Sequence, residues 1–147
     1  MKNIKIILLI FIIIFGLTSC SLYKNNTEPI TINKCSLIYN NNREDFNIVK
    51  NYLLKNFSSD TYLSFDYIRS LSLDNITENA FLSLNCKGIN SIRIMVVDNN
   101  IGTNIAFIIE NTNSLQYGIL WRVSKNQYAS SEIHLEDNWY SYVIGYT

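Results

Sequence analysis

Ile89-Asn90-Ser91-Ile92-Arg93-Ile94-Met95-Val96-Val97-Asp98 alternates along its length: Ile92, Ile94 and Val96 fall on one side of an extended chain, and Arg93, Met95 and Val97 on the other. Asn99-Asn100-Ile101-Gly102 supplies the residue types of a turn, and residues 104–110 return with Ile105, Phe107 and Ile109 at every second position. A period of two on both arms predicts a β-hairpin. Downstream, after a loop over 111–116, Tyr117, Ile119, Trp121 and Val123 continue the period as a third strand, and residues 139–146 supply a last one. The intervening residues 125–137 are polar and read as a long excursion.

Upstream the period changes. Phe46, Val49, Leu53 and Phe57 recur at steps of three and four, with Tyr52 and Leu54 beside them, which predicts an amphipathic helix over 43–57. Asn42 is placed to cap it, Glu44 and Asp45 suit its positive start, and Lys55 suits its negative end. Ser58-Ser59-Asp60 stops it. Residues 61–73 fit two descriptions, since Leu63, Phe65 and Tyr67 alternate like a strand while Leu63, Tyr67 and Ile68 share a helical face. Asn75 and Glu78 have capping-box spacing ahead of Phe81, Leu82 and Leu84, predicting a second helix that ends near Cys86, with Gly88 at the left-handed position beyond. Residues 35–39 read as a short first strand. Helices first and antiparallel strands afterwards predict an α+β fold, with two helices packed on one face of a mostly antiparallel sheet of about four strands.

The chain begins with Lys2 and Lys5, continues through the apolar or neutral residues 6–16, and reaches Leu17-Thr18-Ser19-Cys20. A positive start, a short apolar run and small residues before a cut make a secretory signal. The run is shorter than the ~20 residues that span a bilayer as a helix. In order, spacing and position, residues 1–20 resemble the signal peptide and lipobox of bacterial lipoproteins. The resemblance implies that the Cys20 thiol receives a diacylglyceryl group, that residues 1–19 are removed, and that Cys20 becomes an acylated N-terminus carrying fatty acids such as palmitate. Two or more chains anchor stably where one does not. Ser21, rather than Asp, beside the lipidated residue implies the outer membrane, facing the periplasm, in a cell that has one. Residues 20–34, with the chain's single proline at Pro29, read as the lipidated cysteine and a flexible tether, and residues 35–147 as one α+β domain.

Without its signal segment the chain carries ten basic and twelve acidic side chains, a net charge near −2 with no like-charged block. That balance argues against nucleic acid, whose phosphates require a basic patch. Cys35 and Cys86 remain after Cys20 is used. A bridge between them would close a loop of 51 residues, worth ~4 kcal/mol in the chain-entropy model. The other reading is two buried thiols packed as small hydrophobes, and the sequence leaves both open. Structural zinc takes four close Cys or His ligands, so no metal and no cofactor is expected.

Catalysis finds little support. His134, the only histidine, alternates with Ile133 and Leu135 and reads as an exposed side chain without a nucleophile motif beside it. Glu136 and Asp137 are adjacent, so in an extended chain they point apart. The remaining signal is aromatic. Tyr140, Tyr142 and Tyr146 share one side of the last strand, with Trp139 on the other, and tyrosines in a row can make a binding surface. They can equally fill cross-strand pairs. The expectation is a non-enzymatic, membrane-tethered domain that binds a protein partner at the cell envelope, as an immunity protein or an envelope-assembly component. The alternative is a small-ligand binder with a pocket between helices and sheet lined by Trp121, Phe107 and Tyr142.

Overall fold

The computed structural model of the chain describes residues 31–97, 102–123 and 129–145. The expected signal segment over residues 1–19, Cys20 and Tyr146 lie outside them. Helices α1 (Ile32–Asn41) and α2 (Arg43–Asn56) come first, followed by β1 (Thr61–Ser64), α3 (Phe65–Arg69) and α4 (Asn75–Cys86). Five strands complete the order: β2 (Ser91–Val96), β3 (Thr103–Asn111), β4 (Leu115–Trp121), β5 (Ser131–Glu136) and β6 (Trp139–Gly145). Every pairing is antiparallel, in the spatial order β1-β2-β3-β4-β6-β5. The fold is α+β, and among the described residues it has four helices and six strands rather than the expected two and four.

The β2–β3 hairpin has the anticipated register, with Ile92 opposite Phe107 and Ile94 opposite Ile105. Both added strands lie at sheet edges. Residues 61–73 satisfy their two descriptions in succession: Leu63 is buried from the strand, then Phe65 and Ile68 from the helix. Ser64 makes the change, its hydroxyl accepting from Tyr67 N at 3.2 Å as the N-cap of α3. At the other edge, β5 occupies much of the expected polar excursion. It pairs only with β6, across a tight turn at Asp137-Asn138 in which Asp137 has φ +45°. Ile133 and Leu135 do alternate with Glu132, His134 and Glu136, but two apolar positions within a polar stretch are too few to mark the strand from sequence.

Helix α1 corrects residues 32–39 as read from sequence: Ile32–Asn41 is helical where the end of a tether and a strand over 35–39 are expected. The Thr31 hydroxyl accepts from Lys34 N at 3.2 Å to start it, and Cys35, Ile38 and Tyr39 form its buried face. Asn42 holds the expected N-cap position of α2, but its side chain serves the end of α1. Its backbone N–H donates to Tyr39 O and its side-chain Nδ2 to Ile38 O, while α2 has no side-chain cap. The cap of α4 is Asp74, one residue before the expected Asn75. Its Oδ1 accepts from Ile76 N and Thr77 N, and its Oδ2 from the Thr77 hydroxyl, so these bonds to the charged form hold the carboxyl below its ordinary range. Gly88 takes φ +96° after α4, where the chain needs a residue without a Cβ clash.

All four helices contribute to a core on one side of the sheet. Phe46 meets Phe107 edge-on at 5.0 Å between ring centroids and Trp139 at 5.7 Å, and Tyr39 lies 5.1 Å from Trp139. Each such side chain contributes ~1.5–3 kcal/mol of burial. Ser141, fully buried on β6, is satisfied by the Ser36 hydroxyl of α1 at 2.8 Å. Cys35 belongs to this core as a free thiol, and its burial pushes the pKa up to about 12. The Cys35–Cys86 bridge is therefore not formed: α1 lies over β4, β5 and β6, and its cysteine is sealed among core side chains, whereas Cys86 closes α4, which packs on α2.

Candidate functional site

Alternation along β6 works as the sequence indicates, placing Trp139 with the helices and Tyr140 and Tyr142 on the opposite face. The tyrosine stripe is nevertheless not an exposed surface. Tyr142 is fully buried and Tyr140 half-buried, while Tyr146 lies outside the described residues. The cause is Gly118, directly opposite Tyr142 on β4. A Cβ there would stand 2.8 Å from the Tyr142 ring and 2.2 Å from Phe107 O, so the missing side chain is what lets the ring lie against the neighbouring strand. The Tyr142 hydroxyl accepts from Gln116 Nε2 at 2.7 Å. Alongside, Arg122 Nη1 reaches both Glu132 oxygens, at 3.0 and 2.9 Å, and its guanidinium stacks 4.1 Å over the Tyr140 ring. Cross-strand filling is the role these tyrosines take.

His134 is exposed on β5, its Nε2 2.9 Å from the Asp137 carbonyl and its ring 5.1 Å from Tyr140. Glu136 and Asp137 do not converge. Glu136 is held on the helix side, accepting from the Tyr39 hydroxyl at 2.6 Å and pairing with Arg43 at 2.7 Å, while Asp137 sits in the turn. Burial, and then the bond to Glu136, raise the Tyr39 hydroxyl above its ordinary pKa. The pocket expected from Trp121, Phe107 and Tyr142 is not assembled either. Phe107 and Trp121 face the helices, where Lys50 Nζ lies 5.5 Å from the Trp121 ring, and Tyr142 faces away.

Exposed apolar surface is found elsewhere, between α3, which the sequence left ambiguous, and α4, which it predicted. Between α3 and α4 an open groove of about 180 Å3 has Phe65, Ile68 and Phe81 beneath it and Leu71, Leu73 and Leu82 along its sides. Leu82 is 40% exposed, enough to meet another molecule. Arg69 and Glu78, one cation and one anion, also line it. Such a groove accepts an apolar side chain and offers a charged partner of either sign beside it. The missed signal is that Leu71 and Leu73 lie outside any regular element and yet are only half exposed. Among the described residues, no helix is long and apolar enough to cross a membrane. No known protein family, curated protein or solved structure matches this chain.

Proposed function

We propose that the chain is a bacterial lipoprotein, anchored through lipid on Cys20, whose non-enzymatic α+β domain binds a protein partner at the cell envelope. The observation that carries this reading is Leu17-Thr18-Ser19-Cys20 directly after a short apolar run with a basic start. On this reading the protein sits on an envelope membrane, facing the periplasm where an outer membrane is present, with residues 1–19 removed. The α3–α4 groove supports the binding half, and replaces the tyrosine stripe as the contact surface. A partner would insert an apolar side chain beside Leu82 and set charge against Arg69 and Glu78. An immunity protein and an envelope-assembly component are the two forms this takes. They separate genetically, since the first is dispensable without its toxin and the second leaves an envelope defect when lost.

The test uses the full chain in its host. Radiolabelled palmitate is expected in the wild-type product and not in Cys20→Ser, and cross-linking followed by mass spectrometry is expected to enrich one protein whose recovery falls with Leu82→Asp. Equal labelling of both chains would overturn the anchor. Undiminished recovery with Leu82→Asp would remove the groove from the interface.

A further inference from the structure

We infer that the protein partner at the α3–α4 groove is a second copy of this chain, joined face to face about a two-fold axis. This names the partner for the binding half of the reading above and rests on it. The groove carries its own complement. Arg69, at the end of α3, and Glu78, in the first turn of α4, line it from separate elements, and both are exposed. A two-fold contact sets residue i of one copy against residue j of the other, and j against i. Arg69 then meets the second copy's Glu78 at both ends of the contact, and no further charge is required. A foreign partner would have to supply one anion and one cation at the same spacing. Arg69 is not committed within its own chain, since its pairing with Asp66 at 3.6 Å leaves that carboxylate 93% exposed, where such pairs contribute little.

The apolar part fits the same pairing. The groove is open, with a volume of about 180 Å3, and Leu82 stands 40% exposed beside it. Under the two-fold, each Leu82 enters the other copy's groove, so cavity and filling side chain come from one sequence. The same two helices leave Tyr67 at 49% and Ile76 at 68% exposed, which extends the apolar area beyond the groove. With a net charge near −2 beyond the expected signal segment, two copies repel each other only weakly. On the anchor reading both are held in one membrane plane, which raises the concentration at which they meet.

The experiment measures the protein mass of the full chain from its host by multi-angle light scattering in mild detergent, over a concentration series. The wild type is expected at two copies and Leu82→Asp at one. Arg69→Glu and Glu78→Arg each place like charges at both ends of the contact, so each should pair on the order of a hundredfold more weakly. Mixing these two variants in equal amounts is expected to restore two copies, because one then carries acids at both positions and the other bases. Glu78→Gln, which keeps the shape of the side chain, should weaken pairing by roughly tenfold. A wild-type mass of one copy throughout overturns the pairing. A two-copy mass that survives Leu82→Asp, or a mixture of the charge variants that stays at one copy, overturns it as well. If the wild type is single while Leu82→Asp still lowers the cross-linked recovery of a different protein, this inference falls and the proposed binding site stands. If that recovery is also unchanged, both fall.

Discussion

The two faces of the sheet are both buried, but by different chemistry. Under the helices, Phe46, Phe107, Trp139 and Tyr39 touch one another through rings, so contact is spread over many neighbours. On the far face, burial is organised around Arg122 with Glu132, Gln116 with Tyr142, and the flat space over Gly118. The first face gains stability from area. The second depends on particular partners, because a buried charge or amide is costly once its partner is removed. The contrast is between a core that tolerates reshaping and a surface that specifies one strand register.

The largest effect is expected on the helix side, where Phe107→Ala removes the ring at the centre of the cluster and should lower the urea-unfolding free energy by ~3–5 kcal/mol. A smaller loss would mean that this core is less tightly packed than its ring contacts indicate. Next comes Glu132→Ala on the far face, at about 3 kcal/mol, since it leaves the Arg122 guanidinium without this carboxylate. Arg122→Met together with Glu132→Leu should cost less than the single change. If instead the two losses add, the pair is not a unit and the contrast between faces fails. Tyr142→Phe removes only the hydroxyl that accepts from Gln116 and should cost about 1 kcal/mol. Thermal melts of the three far-face variants rank these contributions directly.

A pH slope is also expected from the helix side. In the unfolded chain a thiol ionises near ~8.5, whereas burial holds Cys35 in the fold up to about 12. Its folded pKa is raised, so the folded state keeps a proton that the unfolded state has lost. Stability should therefore decline as pH rises from about 8.5 towards about 12. Urea midpoints between pH 8 and 10, before tyrosines contribute, should show a slope that is shallower in Cys35→Ala. Identical slopes would mean that the thiol reaches solvent without unfolding.

Most of the helix-facing half could be read from residues alone. The alternation of Ile92, Ile94, Ile105 and Phe107, and the three- and four-residue steps of Phe46, Val49 and Leu53, correspond to buried positions as expected. Apolar periodicity carries that information because burial there is generic. What escaped had weaker periodicity or needed long-range partners. Helix α1 hides its stripe among asparagines, β5 is an edge strand with only two apolar positions, and Asn42 faces back along the helix it ends. Tyr142 presents as a surface residue until Gly118 is known to lie opposite, a pairing that only the register of β4 and β6 reveals. The α3–α4 groove was equally unreadable, because two of its walls, Leu71 and Leu73, lie between elements.

The ends of the sheet bear on how such a chain resists edge-to-edge self-association at high local density. β1 offers an intruding strand four residues before the backbone turns away into α3. At the opposite margin β5 alternates Glu132, His134 and Glu136, and Glu136 is clamped to α1 and α2 through Tyr39 and Arg43. Neither margin gives a foreign backbone a long, flat, uncharged ladder to extend, so crowding need not seed fibres from this sheet.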